Sequence, residues 1–259
     1  MTRDRLRQWL TLLLVLATIV INGLANALPF NNLTTAEISD RFQVYFVPAG
    51  YVFAIWGLIY LGLIAFAVFQ ALPAQRENPR LRAIFPWFVL ASLANITWLF
   101  LWHFEQFVLT LPVMLTLLLS LIAIYLRLGV GRTAVSAAER WLAHAPFSLY
   151  LGWISVATIA NATDVLYYLG WNGGGLAPEV WAVILLGITV VLGALMAWLR
   201  RDVIYLLVLV WALAGIAVKQ SATPLVAGTA AIAAGAVGVL AVLSLLSARR
   251  GAGKAPTSG

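Results

Sequence analysis

The hydrophobic residues of this chain are gathered into eight long runs, which short polar or glycine- and proline-containing stretches separate. A helix needs about 20 apolar residues to cross the hydrocarbon core of a bilayer, and the runs approach or exceed that length. The pattern predicts an all-α fold, a polytopic membrane helix bundle of about eight transmembrane helices. We call the runs segments 1 to 8; they cover residues 8–28, 47–71, 84–102, 106–126, 142–168, 179–199, 203–219 and 223–247.

Composition indicates a membrane protein without a separate soluble domain. Of the 259 residues, 63% are hydrophobic and only 10% are charged, whereas soluble domains contain about 25% charged residues. The absence of cysteine excludes disulfides and thiolate metal sites. The chain has two histidines, His103 and His144, so a histidine-built metal site is not expected either.

The basic residues indicate orientation in the membrane rather than a nucleic-acid partner. The net charge is +7, but every lysine and arginine except Arg41 and Lys219 falls on the side of the N-terminus if the eight segments alternate. Short loops rich in lysine and arginine stay in the cytoplasm. The pattern therefore predicts an integral protein of the bacterial cytoplasmic membrane, in contact with the lipid bilayer, with both termini cytoplasmic. Residues 249–259 are expected to form a disordered cytoplasmic tail.

A secretory signal is the competing interpretation of segment 1. A basic start, an apolar run and the Ala-Asn-Ala sequence at residues 25–27 resemble a signal peptide with its cleavage site. Cleavage there would leave seven helices. The polar residues of the run favour a retained helix, because they recur on one helical face as a packed helix requires; they are Thr11, Thr18, Asn22 and Asn26.

Segment 5 carries a stripe of polar and aromatic residues at helical spacing, formed by Tyr150, Trp153, Ala157, Asn161 and Asp164. Polar groups are costly in hydrocarbon unless a neighbour satisfies them, so the stripe should face the interior of the bundle. It could line a ligand site or supply hydrogen bonds between helices. For Asp164, near the end of the segment, a contact with water is a third alternative.

Segments 2 and 3 carry aromatic residues on single helical faces. In segment 2 these are Phe53, Trp56 and Tyr60, and in segment 3 Trp98 follows Asn95. Flat side chains with a few hydrogen-bonding groups suit a planar, largely apolar ligand. Tryptophans at the membrane interface and asparagines that join helices are the alternatives.

Lys219, late in segment 7, raises the possibility of a retinal Schiff base. Segment 3 offers no carboxylate counter-ion within its span, and the expected orientation is opposite to that of a microbial rhodopsin. A structural lysine at the outer interface is the preferred interpretation.

Three motifs of this chain resemble those of the TspO/MBR family, the translocator proteins or tryptophan-rich sensory proteins. They are PAGYVFAIWGLIY at residues 48–60, NITW at 95–98 and LYLGWISVATIAN at 149–161. Their order and internal spacing make the resemblance specific. Leu149 and Val156 depart from the proline and phenylalanine usual in the third motif, and the first loop is longer than usual.

The resemblance covers about residues 10–169, the five helices of that family. It implies a TspO-like five-helix membrane domain at residues 1–170, with three additional transmembrane helices at 171–248. The chain thus looks like an enlarged member. The added helices put the oligomeric state in doubt, so a homodimer is only one expectation.

The resemblance also implies a cavity among the helices that binds a porphyrin, such as protoporphyrin IX, or a sterol-like small molecule. A heme-type tetrapyrrole is then the expected ligand, and no cofactor or metal is required. The residues expected to line or shape the cavity are Asn22, Asn26, Phe53, Trp56, Tyr60, Asn95, Trp98, Tyr150, Trp153, Ala157 and Asn161.

A receptor or sensor of the TspO type is the function that the resemblance favours. A membrane transporter of tetrapyrroles or other small hydrophobic molecules is the alternative. Light-dependent porphyrin breakdown is suggested by the family alone, since no acid–base pair or metal-ligand set in the core supports it. An enzyme that degrades porphyrin is therefore the third alternative, behind binding and transport.

Overall fold

The computed structural model describes residues 3–27 and 30–252, and helices are the only regular secondary structure within those ranges. Among these residues, seven helices are long and apolar enough to cross a membrane, and Val203–Lys219 is a shorter apolar helix. The helices are α1 (Arg3–Ala27), α2 (Thr35–Ser39), α3 (Ile55–Ala71), α4 (Pro79–His103), α5 (Phe107–Leu128), α6 (Ala137–Tyr168), α7 (Pro178–Arg200), α8 (Val203–Lys219) and α9 (Pro224–Ala252).

Segments 1 to 8 correspond to α1 and to α3 through α9, so the all-α prediction is confirmed. Within the described residues, two of the membrane-spanning stretches include a turn that is not α-helical. A 3₁₀ turn at Gly50–Ala54 leads into α3, and a π turn at Arg140–His144 lies near the start of α6. The predicted tail at residues 249–259 lies largely outside the described residues, since these end at 252 and the side chains of its first residues are not described.

The short helix α2 lies within a stretch that the hydrophobic pattern assigned to a loop. Thr34 caps it: its hydroxyl accepts a hydrogen bond from the Glu37 amide at 3.3 Å, and the Glu37 carboxylate accepts one from the Thr34 amide at 2.7 Å. These bonds from Thr34 hold the pKa of the Glu37 carboxyl below its usual value. Such a capping box satisfies two amide donors at the helix start, which allows so short a helix to form.

Helix α6 lies at the centre of the bundle. In its membrane-spanning stretch 72% of the residues are buried inside the protein, compared with 22% in α7. It packs against α3, α5 and α8, while α9 packs against α7 and α8. The contact with α8 is close because Gly152 lies there; a Cβ atom at Gly152 would come within 3.0 Å of the Val208 side chain. The contact between α6 and α8 is thus the largest helix contact that joins the three C-terminal helices to the rest of the protein.

Ion pairs at the two ends of the bundle agree with eight alternating spans. At the end where α1 begins, Arg82 pairs with Asp4 at 2.7 Å, and Arg80 pairs with Glu139 at 2.6 Å. At the opposite end, Arg41 pairs with Glu105 at 2.5 Å. Lys219 pairs there with Asp40 of the α1–α3 loop, which fits a structural lysine.

Asp202, in the turn between α7 and α8, joins three helices. Its Oδ1 accepts hydrogen bonds from the amides of Ile204 and Tyr205 at 3.1 Å each, which caps the start of α8. Its Oδ2 accepts hydrogen bonds from the Tyr125 hydroxyl of α5 at 2.8 Å and the Ser148 hydroxyl of α6 at 2.6 Å. One buried carboxylate therefore fixes the positions of α5, α6 and α8.

Replacement of this carboxylate should destabilise the fold. Asp202→Ala removes the helix cap and leaves two buried hydroxyls without their acceptor, which should lower the free energy of unfolding by about 3–5 kcal/mol. Thermal unfolding in detergent measures the change. Asp40→Ala is the control, because an exposed ion pair contributes less than about 1 kcal/mol. Equal melting temperatures for the two variants would contradict the proposed role.

The sidedness of the loops can be tested with single cysteines, since the chain has none. Glu77 and Ala177 are exposed residues of the α3–α4 and α6–α7 loops. We call the end of the bundle where α1 begins the arginine-rich end, and we expect it to be cytoplasmic. In intact cells a membrane-impermeant thiol reagent should therefore label Ala177→Cys, and it should label Glu77→Cys only after lysis. The reverse pattern would show that the orientation is wrong.

Candidate ligand cavity

Two adjoining chambers lie among α1, α3, α4 and α6, at the end of the bundle that carries the α1–α3 loop. The main chamber has a volume of about 300 Å³, and the side chamber one of about 50 Å³. Thr35, Phe53 and Trp98 line both. The other predicted site residues at the main chamber are Asn22, Trp56 and Tyr60, and those at the side chamber are Trp153, Ala157 and Asn161.

Aromatic rings form much of the chamber walls. The rings of Trp56 and Tyr60 are stacked with centroids 5.7 Å apart, one helical turn from each other on α3. Trp153 of α6 meets Phe53 edge-on at 5.8 Å. On α4, the rings of Trp98 and Trp102 are stacked with their centroids 5.2 Å apart. The helical spacing of these residues therefore does bring their rings to one place, and the flat faces can pack against a planar ligand.

Asn95 and Tyr150 lie beside the chambers without lining them. The Asn22 amide donates a hydrogen bond to Asn95 Oδ1 at 2.8 Å, and the Asn95 amide donates one to the Tyr150 hydroxyl at 3.0 Å. These bonds join α1, α4 and α6. Tyr150 borders a separate void of only about 10 Å³. The structure therefore favours the interpretation that Asn95 and Tyr150 link helices through hydrogen bonds. They lie one helical turn from Trp98 and Trp153, toward the arginine-rich end of the bundle.

Asn161 both links helices through hydrogen bonds and lines a chamber, so both interpretations of its sequence position apply. Its Oδ1 accepts a hydrogen bond from the Trp98 indole at 3.2 Å, and its amide donates one to the Thr110 hydroxyl at 2.8 Å. It thus connects α4, α5 and α6, while it also lines the side chamber. Its bond to Trp98 fixes the orientation of an indole that both chambers share.

Asp164 and Trp153 each present a polar atom to this region without a hydrogen-bond partner. Each residue is only 3% exposed. Asp164 is therefore buried and does not face bulk water. Within the described residues, Asp164 Oδ1 and Trp153 Nε1 have no hydrogen-bond partner, and both side chains line the side chamber. An unsatisfied buried polar group costs about 1–3 kcal/mol. One acceptor and one donor are thus available to an occupant.

Helix α2 covers the main chamber, a feature that hydrophobic periodicity did not predict. Thr34, Thr35 and Ala36 line the chamber. The Trp102 indole donates a hydrogen bond to the Thr35 carbonyl at 3.2 Å, and the Thr35 hydroxyl lies 3.3 Å from His103 Nε2. These contacts hold α2 against the end of α4. The only sequence signal for this arrangement was the T-x-x-E pattern of the capping box.

The side chain of Asn26, another predicted site residue, lies outside the described part of the structure. Among the described residues there is no group of three or more histidine, aspartate or glutamate side chains that could hold a metal ion.

The chain matches the family model described as TSPO-like protein over residues 8–243. It belongs to the TSPO-like protein family. The match extends beyond residue 169, where the motif resemblance ends, and takes in α7, α8 and most of α9. Comparison with curated proteins and with solved structures finds no significant match. The proposed domain boundary at residue 170 in this TSPO-like protein stays a prediction.

The hydrogen-bonded group of Asn22, Asn95 and Tyr150 can be tested by its effect on stability. Asn95→Ala should lower the free energy of unfolding by about 1–3 kcal/mol, because it breaks both bonds and leaves the Tyr150 hydroxyl unpaired. Unfolding in detergent measures this. Gln106→Ala, which changes an exposed side chain in the α4–α5 turn, is the control. If Asn95→Ala is as stable as the control, these bonds do not hold the helices together.

Proposed function

We propose that this TSPO-like protein is a membrane receptor or sensor that binds a planar hydrophobic ligand, with a porphyrin as the preferred candidate. The observation that carries the proposal is the pair of adjoining chambers, which have aromatic walls and two polar atoms without partners. Membership of the TSPO-like family supports a membrane protein of this kind.

The main chamber has a volume at the lower end of the range for small-molecule pockets, and the side chamber adjoins it. Pockets for small molecules have volumes of about 300–1,000 Å³ and are mostly apolar with a few well-placed polar groups. The main chamber has a volume of about 300 Å³, and Trp56, Tyr60 and Trp98 line it. A conjugated macrocycle can stack on these rings, whereas a sterol offers no aromatic face. The chamber therefore favours a porphyrin over a sterol-like molecule.

The two unpaired polar atoms define what the occupant should offer. Trp153 Nε1 can donate a hydrogen bond to an acceptor, and Asp164 Oδ1 can accept one from a donor. A porphyrin such as protoporphyrin IX carries two carboxyl groups, and a carboxyl group accepts hydrogen bonds when ionised and donates one when protonated. A ligand that satisfies both atoms removes a cost that the protein otherwise bears in an apolar environment.

The hydrogen-bonded residues beside the main chamber favour a receptor over a transporter, because they close the bundle on the arginine-rich side of the chamber. Asn95 and Tyr150 lie one helical turn from Trp98 and Trp153 toward the arginine-rich end, and their hydrogen bonds join α4 to α6. A transported ligand would have to separate these buried groups. A transporter of tetrapyrroles or other small hydrophobic molecules is thus the second candidate. Accumulation of protoporphyrin IX in proteoliposomes would favour it over the receptor.

Filling the side chamber should prevent ligand binding. Ala157→Phe places a ring where Ala157 lines that chamber, and we expect the affinity for protoporphyrin IX to fall by more than about tenfold, because a filled pocket loses well over 1.4 kcal/mol of contact. Titration followed by the Soret band of the porphyrin measures the affinity. Ala231→Phe, at an exposed position on α9, is the matched control. Equal affinity in both variants would refute the proposed site.

A second variant in the same titration tests the polar contact. Trp153→Phe keeps an aromatic ring but removes the unpaired N–H, so the affinity should fall about two- to tenfold, as expected for one hydrogen bond. Trp198→Phe is the control, because Trp198 is 80% exposed on the surface of α7. An unchanged affinity in Trp153→Phe would show that the indole N–H does not contact the ligand.

A further inference from the structure

A further cavity, larger than the two ligand chambers, lies at the opposite, arginine-rich end of the bundle. Its volume is about 530 Å³. Three parts of the chain enclose it: the α5–α6 loop at residues 130–135, the first turns of α6, and the turn from α7 into α8 at residues 200–204. We call it the arginine pocket. The ligand chambers described above lie at the other end of α6, so the two sites are separate.

The walls of the arginine pocket are fixed by specific contacts. Gly131 has φ +74° and packs so closely on the Arg200 carbonyl that a Cβ atom would overlap it. The Arg200 guanidinium donates a hydrogen bond to the Val130 carbonyl at 3.3 Å. Asp202 joins the same turn to Ser148 of α6 at 2.6 Å. The loop, the helix and the turn are therefore held together, and the cavity between them is preformed.

Within the described part of the chain, four arginine residues line this pocket without forming an ion pair. They are Arg132, Arg140, Arg200 and Arg201, and none of them takes part in the ion pairs of the described residues. By contrast, Arg80 and Arg82 at the same end each form a two-pronged bond with a carboxylate, at 2.6–2.8 Å. Four arginines without a carboxylate partner among the described residues thus lie around one cavity.

The two other titratable groups that line the pocket do not neutralise this charge through contacts of their own. The Asp202 carboxylate already accepts four hydrogen bonds, from two amides and two hydroxyls. His144 is 5% exposed, and its Nε2 has no hydrogen-bond partner within the described residues. The nearest carboxylate oxygen, on Glu139, lies 3.9 Å from that nitrogen and is bound by Arg80. The pocket therefore has more donors than acceptors.

We propose that the arginine pocket binds a phosphate group, presented either by an anionic phospholipid of the adjacent leaflet or by a soluble phosphate ester. Guanidinium groups pair with phosphate oxygens through two parallel hydrogen bonds, which a single lysine could not provide. Basic pockets between membrane helices on the cytoplasmic side are suited to phospholipid headgroups. The exposed indole of Trp141 lines the pocket, as expected at the depth of the headgroups.

The experiment compares two double variants that remove the same charge. Arg132→Gln with Arg140→Gln changes the pocket, and Arg3→Gln with Arg5→Gln changes exposed residues at the same end of the bundle. Native mass spectrometry measures phosphatidylglycerol retained by the full-length protein, and calorimetry in detergent measures binding of glycerol phosphate. Equal melting temperatures would show that both variants are folded.

The pocket variant should bind its ligand roughly thirty-fold more weakly than the wild-type chain, since each arginine contributes about 1 kcal/mol toward an anionic headgroup. The control variant should change binding much less. Loss of phosphatidylglycerol alone identifies a lipid as the source of the phosphate, and loss of glycerol phosphate binding identifies a soluble ester. If the pocket variant and the control retain both probes equally, the proposal is wrong and the arginines serve only to orient the protein.

Discussion

The structure depends on one constraint: polar groups inside a membrane protein must find partners within the protein, because hydrocarbon offers none. Helix α6 shows the consequence most clearly. It is the most buried of the long helices and carries Ser148, Tyr150, Asn161 and Asp164 in a single span. Three of these side chains bond to residues of neighbouring helices, through Asp202, Asn95, and Trp98 with Thr110. Their positions determine how α4, α5 and α8 pack around α6.

Two of the exceptions to this constraint lie together at the candidate ligand site. Trp153 and Asp164 keep a donor and an acceptor without partners in one chamber, next to hydrogen bonds that satisfy Asn161 and Trp98. Two such atoms beside one small cavity support the proposal that a ligand binds there. Aromatic residues around the cavity are well suited to a flat ligand.

Helical periodicity predicted the eight segments and the shared faces of Phe53, Trp56, Trp98 and Trp153, because burial in lipid imposes a strong and regular pattern. It could not predict which residues on those faces point to a cavity and which to a neighbouring helix. Asn95 and Tyr150 therefore proved to bond to other helices, and Asp164 proved to be buried. Helix α2 was missed because its five residues are too few for a periodic signal.

The π turn near the start of α6 sets the directions in which the two parts of this helix face. One extra residue in a helical turn rotates everything before it by about 100° relative to everything after it. Glu139, ahead of the turn, faces inward to Arg80, while regular α-helix runs from Ala145 to Tyr168. The two parts of α6 can therefore face different partners: Glu139 faces Arg80, while Trp153 and Asn161 face the side chamber.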